Sequence, residues 1–101
     1  MTQLHIDIPT DQIKAFCRKW KVKELSLFGS VLRDDFGPDS DVDVLVEFRD
    51  DAEWSLFDWV DMIDDLKVIF GRDVDLVERG GLRNPFRRHA ILTTKRIIYA
   101  N

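Results

Sequence analysis

A Gly-Ser pair and two aspartates are the residues best suited to chemistry. Ten residues separate Gly29-Ser30 from the Asp41-Val42-Asp43 motif. A glycine lets the backbone approach a ligand closely, and the free amides at the start of a helix favour anions. Residues two apart on a strand point to the same face, so the spacing predicts two carboxylates beside a phosphate-binding turn.

Two carboxylates this close repel each other unless a positive charge lies between them. Mg²⁺ takes oxygen ligands and keeps contacts to substrate phosphates, so we predict a Mg²⁺ site that includes Asp41 and Asp43. A third carboxylate could come from Asp73 or Asp75 in the next apolar strand. We prefer Asp75 because it lies deeper in that strand, although either residue could instead be solvated at its edge.

Arg33 lies three residues after Ser30, and the sequence leaves two interpretations of it open. Its guanidinium could reach a bound triphosphate. It could equally pair on the surface with Asp34 or Asp35.

Composition limits the class of protein. A chain of 101 residues is long enough for one domain, which we place at 1–101, and its formal net charge of −4 argues against binding to a nucleic acid backbone. The single Cys17 is predicted to be a small buried thiol, and one cysteine suits a reducing compartment. The opening residues Met1–His5 carry no leader signal and no apolar stretch is long enough to span a bilayer, so we expect a cytoplasmic protein.

The hydrophobic pattern predicts an α/β (α+β) fold: a small mixed sheet with helices mainly on one side. The connection between the first two strands is too short for a long crossover helix, so these strands should be antiparallel. Thr10 should cap the first helix and Ser55 a long one that ends at Gly71. The predicted strands are 25–28, 41–48, 73–77 and a short final 96–99, with a last helix starting at Asn84-Pro85.

Helical spacing in the long helix predicts an inner stripe. Its members are Leu56, Trp59, Val60, Ile63, Leu66 and Phe70. Trp54, Phe57 and Trp59 should be mostly core, with Trp54 the most exposed of the three.

Together these motifs resemble the nucleotidyltransferase superfamily of DNA polymerase beta, and the small size resembles its minimal nucleotidyltransferases. The motifs are 27–30, Arg33, 40–46 and 74–77. One departure is that Asp34 follows Arg33 where such proteins usually carry glycine.

The resemblance implies roles for these residues. Asp41, Asp43 and Asp75 would be the catalytic metal ligands, and Gly29 with Ser30 would hold the triphosphate of ATP. It implies two-metal nucleotidyl transfer, with one Mg²⁺ held by all three aspartates and a second by Asp41 and Asp43.

The resemblance also implies a partner. Stand-alone domains of this kind resemble antitoxins that transfer AMP to a tyrosine of an all-helical HEPN-type ribonuclease toxin, with which the chain would form a complex. The chain shows little acceptor-binding apparatus of its own, which favours a protein acceptor. Two alternatives stay open: an antitoxin that neutralises its partner by contact alone, and a nucleotidyltransferase acting on a small molecule.

Overall fold

A computed structural model describes residues 6–33, 36, 37 and 39–101, and within these it shows three α-helices and four strands. The chain order alternates helices with strands as predicted. The elements are α1 (Thr10–Lys19), β1 (Val22–Phe28), β2 (Val42–Phe48), α2 (Leu56–Phe70), β3 (Val74–Glu78), α3 (Pro85–Thr94) and β4 (Arg96–Ala100), with 3₁₀ turns at Gly29–Leu32 and Arg79–Gly81.

The four strands form one mixed sheet in the order β3-β2-β1-β4. β1 pairs antiparallel with β2 and with β4, whereas β2 and β3 are parallel. The antiparallel pairing of the first two strands and the short final strand are therefore confirmed.

Two helices cover one face of the sheet and the third lies on the other. α1 and α2 bury the larger core, in which Ile13, Phe16 and Leu66 contact the inward side chains of the strands. On the opposite face, Ile91 of α3 packs with Phe28 and Leu45. This arrangement confirms a small mixed sheet with helices mainly on one side.

The parallel β2–β3 pairing depends on α2, because parallel neighbours need a crossover connection. The Ser55 hydroxyl accepts from the Asp58 amide at 3.2 Å, and the Asp58 carboxylate accepts from the Ser55 amide at 2.9 Å, which completes a capping box. At the other end Gly71 has φ 69°, the left-handed conformation that stops a helix and that glycine adopts without strain. Both predicted boundaries of this helix are confirmed.

The predicted inner stripe of α2 is wrong at its first turns. Leu56 and Val60 are exposed, and the fully buried side chains are Met62 and Leu66. The buried face of α2 is rotated away from Leu56 and Val60, since the side chains that pack in or against the larger core are Trp59, Met62, Ile63, Leu66, Ile69 and Phe70.

The aromatic prediction is partly wrong: Trp59 packs against the larger core as predicted, but the most exposed of the three is Phe57 and not Trp54. Phe57 is 83% exposed, whereas Trp54 packs edge-on against Trp20 with ring centroids 5.2 Å apart. Trp54 precedes α2, so its direction follows the connecting segment rather than the helical period.

Other sequence predictions have mixed outcomes. α1 begins at Thr10 itself, with Pro9 preceding it, so Thr10 is not the cap. Cys17 is buried as predicted, and burial raises the pKa of its thiol to about 12. The leader prediction on Met1–His5 and the predictions on Asp34 and Asp35 lie outside the described residues.

No helix among the described residues is both long and apolar enough to cross a membrane.

The corrected inner face of α2 can be tested by paired truncations. Met62→Ala should lower the free energy of unfolding by about 2–5 kcal/mol, the usual cost of emptying a packed position. Leu56→Ala should change it by less than about 0.5 kcal/mol, because that side chain is 76% exposed. Urea denaturation measures both, and equal losses would contradict this packing.

Candidate active site

The predicted site residues meet at one end of the sheet, where β1 ends and where β2 and β3 begin. Asp43 pairs in register with Phe28 of β1 on one side and with Asp75 of β3 on the other. The parallel register therefore places the two carboxylate-bearing residues directly beside each other on adjacent strands. Gly29-Ser30 follows Phe28 immediately, so the turn lies next to Asp43.

Gly29 lets the Asp43 carboxylate approach the backbone closely. It has φ +69°, and a Cβ atom built there would overlap Asp43 Oδ2 and lie 3.2 Å from its Cγ. The Ser30 amide donates a hydrogen bond of 3.4 Å to the same Oδ2. Two reasons thus require glycine at this position: the left-handed backbone and the space taken by Asp43.

Asp41 lies just outside the strand that was predicted to contain it, since β2 begins at Val42. Its side chain is exposed, and its carbonyl accepts a 3.0 Å hydrogen bond from the Ser30 hydroxyl. The hydroxyl that we expected to meet a phosphate oxygen thus ties the turn to the residue that precedes β2. Asp41 therefore lies just before the ladder, with its carbonyl held by the Ser30 side chain.

Burial, more than any other cause, raises the pKa of Asp43. The negative charges of Asp75 and Asp41 raise it further, while the Ser30 amide and the Arg33 guanidinium lower it, and the net direction is upward. A bound cation would lower the electrostatic cost of keeping a half-buried carboxylate charged beside two acidic neighbours.

The donor set fits a hard cation, because carboxylate oxygens are what Mg²⁺ prefers. Among residues 6–33, 36, 37 and 39–101, however, no three His, Cys, Asp or Glu side chains come together as a set that could hold a metal ion. Asp43 and Asp75 lie side by side through the strand register, and Asp41 is two residues from Asp43. Their roles as metal ligands remain a prediction.

Asp73 is placed differently from Asp75. Its carbonyl accepts from the Val42 amide at 2.9 Å, and its carboxylate lies 3.8 Å from Lys67 Nζ. Asp73 thus lies immediately before β3, and Asp75 lies deeper in that strand, as predicted. Since Asp75 pairs with Asp43, we keep Asp75 as the expected third carboxylate.

Arg33 lies close enough to Asp43 for its charge to lower the pKa of that carboxyl. The predicted pairing with Asp34 or Asp35 falls outside the described residues. The predicted contact with a triphosphate stays open.

Sequence reasoning missed Arg72. Its Nη1 donates to the carbonyls of Gly37 and Ser40 at 3.1 and 3.2 Å, so it contacts the segment that leads into Asp41. An arginine after a helix-ending glycine is common, and no sequence signal indicated this contact across 32 residues or more.

Comparison with known families decides the assignment. Residues 10–98 match the model of the nucleotidyltransferase domain. The chain belongs to the nucleotidyltransferase family. The expected family and fold are thereby confirmed, and with them the expectation that the chain is a nucleotidyltransferase.

Two archaeal relatives of this nucleotidyltransferase carry the name protein adenylyltransferase. One, provisionally named so, is from Methanocaldococcus jannaschii and is 36% identical over 73 residues, which cover 72% of this chain and 73% of the relative. The other is protein adenylyltransferase MntA of Thermococcus cleftensis, 34% identical over 77 residues that cover 76% of each chain.

Solved structures share the fold. One described provisionally as a minimal nucleotidyltransferase has a TM-score of 0.71 and 28% identity, covering 91% of this chain and 96% of the other. A chain from the complex of a tri-AMPylated Shewanella oneidensis HEPN toxin with an MNT antitoxin has a TM-score of 0.61 and 19% identity, covering 91% of this chain and 70% of the other. The second likeness shows the fold alone.

Gly29→Ala should damage both stability and the site of this nucleotidyltransferase. The left-handed backbone alone costs a side chain about 1–2 kcal/mol, and the new Cβ must displace the Asp43 carboxylate. Chemical denaturation should therefore show a lower free energy of unfolding. Gly81→Ala is the matched control, because nothing lies within 4 Å of a Cβ there, and Asp43→Ala should relieve part of the loss. Equal stability of Gly29→Ala and wild type would contradict the close approach.

Asp43 should make folding pH-dependent in metal-free buffer. The unfolded chain releases this proton near the ordinary value of 3.8, whereas the folded chain releases it at higher pH. The folded state therefore binds more protons in that window, and stability falls as the pH rises through it. Asp43→Asn should raise the melting temperature at pH 7, with a gain that disappears as the pH falls below 3.8. A gain that persists in acid would contradict a titration effect.

Proposed function

We propose that this protein transfers AMP from ATP to a tyrosine hydroxyl of a HEPN-type toxin, with Mg²⁺, and thereby acts as its antitoxin. The observation that carries the proposal is the side-by-side register of Asp43 and Asp75 next to the Gly29-Ser30 turn. A carboxylate cluster beside an anion-binding turn is the apparatus that phosphoryl transfer requires.

In this proposal the turn binds the nucleotide. Gly29 lets the Asp43 carboxylate approach its backbone and accept from the Ser30 amide, and the triphosphate would bind the 3₁₀ turn that starts there, next to that carboxylate. Arg33, whose charge already acts on Asp43, would contribute positive charge to the leaving phosphates. The Ser30 hydroxyl, bound to the Asp41 carbonyl, would keep the turn aligned with the carboxylates.

The reaction is an in-line displacement. The acceptor oxygen forms a bond to the α-phosphorus, the bond from that phosphorus to the β-phosphate oxygen breaks, and pyrophosphate leaves. Asp75, which is exposed at this end of the sheet, would accept the hydroxyl proton. A tyrosine suits a weak carboxylate base better than an aliphatic hydroxyl does, because a phenol has a pKa of about 10.

Mg²⁺ would be held by Asp41, Asp43 and Asp75, and when bound it would supply the positive charge that stabilises the attacking and leaving oxygens. The raised pKa of Asp43 supports this fit, because burial first, and then the negative charges of Asp75 and Asp41, make its charged form costly. Binding a cation would remove that electrostatic cost.

The partner is proposed from the relatives. Two of them are named protein adenylyltransferases, and the same fold occurs in a complex with a tri-AMPylated HEPN toxin. These names support a protein acceptor over a small molecule, and AMP over other nucleotides.

The test is a mass measurement. The protein is incubated with Mg²⁺, ATP and the HEPN-type protein encoded by the neighbouring reading frame, and the mass of that protein is followed. We expect a gain of one or more AMP units on tyrosine. Asp43→Asn should slow the gain at least about a hundredfold, since metal-centred charge stabilisation is worth several kcal/mol. Asp64→Asn is the matched control, because Asp64 is exposed on α2.

The outcomes separate the candidate functions. A tight complex with no mass gain would overturn the enzymatic proposal and leave neutralisation by contact. Asp43→Asn with full activity would remove Asp43 from the site.

A further inference from the structure

Arg72 connects the segments that lead into β2 and β3. It follows Gly71 at the end of α2 and precedes β3 by two residues. Its half-buried guanidinium donates through Nη1 to the Gly37 and Ser40 carbonyls at 3.1 and 3.2 Å, and its Cζ lies 4.6 Å from the centroid of the Phe36 ring. One side chain thus contacts three residues of the segment that leads into β2.

Two hydrogen bonds join Gly37 and Ser40, the residues whose carbonyls Arg72 contacts. The Ser40 amide donates to the Gly37 carbonyl at 3.0 Å, and the Gly37 amide donates to the Ser40 hydroxyl at 3.1 Å. The Gly37 carbonyl therefore accepts from both Ser40 and Arg72. A planar guanidinium with several fixed donors suits two carbonyls and an aromatic ring better than an ammonium does.

This contact matters because of the residue that follows Ser40. Asp43 and Asp75 are fixed by the β2–β3 ladder, but Asp41 precedes the ladder, and Ser40 is its direct neighbour. The Val42 amide, directly after Asp41, donates to the Asp73 carbonyl, and two side chains act on the other side: the Ser30 hydroxyl on the Asp41 carbonyl, and Arg72 on the Ser40 carbonyl.

We propose that Arg72 is a positioning residue that holds Asp41 in the place from which it binds the cation and nucleotide. This inference rests on the proposed function, because it takes Asp41 as a ligand. Arg72 would act through Ser40 and Asp41, since both hydrogen bonds from its Nη1 go to backbone carbonyls of the segment before β2.

The test measures binding as well as turnover. Mn²⁺ with AMP-PNP is titrated by calorimetry into wild type, Arg72→Gln, Arg72→Lys and the control Arg83→Gln, whose side chain is exposed before α3. We expect both Arg72 variants to bind roughly 10–100-fold more weakly, the usual effect of removing a group that orients a metal ligand. The control should bind like wild type. Full affinity in Arg72→Gln would overturn the proposal, because Asp41 would then hold its place without the guanidinium.

A double-mutant cycle tests the route of the effect. In an Asp41→Asn background, Arg72→Gln should cause little further loss, since the ligand it positions is already gone. An undiminished loss would overturn the proposal. Ser40→Ala removes one of the two hydrogen bonds between Gly37 and Ser40 and should weaken binding in the same direction, and Arg72→Lys takes the place of Arg72→Gln in the cycle if Arg72→Gln does not fold.

This inference and the proposed function fail separately. Wild-type AMP transfer together with unchanged binding in Arg72→Gln would overturn only the role of Arg72. Wild type that neither binds Mn²⁺ with AMP-PNP nor transfers AMP would overturn the proposed function.

Discussion

The close approach of the Asp43 carboxylate to the Gly29 backbone is the constraint on which the site depends. This approach leaves the Asp43 carboxylate half-buried near the start of β2, an inner strand of the sheet. Burial and two acidic neighbours raise the pKa of that carboxyl. The approach is possible only because position 29 carries no Cβ and accepts a left-handed backbone. The Ser30 amide then becomes a partner of the carboxylate rather than an unsatisfied donor. A turn suited to phosphate and a carboxylate suited to a cation are therefore one structural unit.

The second carboxylate of this unit depends on α2. Because β2 and β3 are parallel, the chain must cross the sheet between them, and the length of that crossover determines which residue of β3 pairs with Asp43. The capping box at Ser55 and the left-handed Gly71 fix the two ends of the helix, while Met62 and Leu66 hold it against the sheet. A slip of one residue would turn Asp75 to the opposite face. Packing far from the site thus determines the distance between its charges.

Local signals predicted most of the fold. Gly29, Ser55, Gly71 and Asn84-Pro85 each mark a boundary by their own backbone chemistry, and the structure confirms those boundaries. The predictions that failed were those that depend on tertiary packing. Spacing gave α2 an apolar face but could not show that this face centres on Met62 and Leu66, which leaves Leu56 and Val60 exposed. Within the site, the pattern of the predicted strands indicated that Asp43 and Asp75 would lie close together. The contact of Arg72 with the residues before Asp41 joins segments remote in sequence, and no local pattern encodes it.

The three carboxylates therefore differ in how they are held. The backbones of Asp43 and Asp75 are fixed beside each other by the hydrogen-bonded ladder. Asp41 is joined to the ladder only through the following Val42 amide, which donates to the Asp73 carbonyl, while a hydroxyl and a guanidinium act on its own carbonyl and on that of Ser40. In the proposed reaction, Asp43 and Asp75 would therefore keep their places through the backbone of the sheet, whereas the place of Asp41 would depend on side chains from outside β2 and β3.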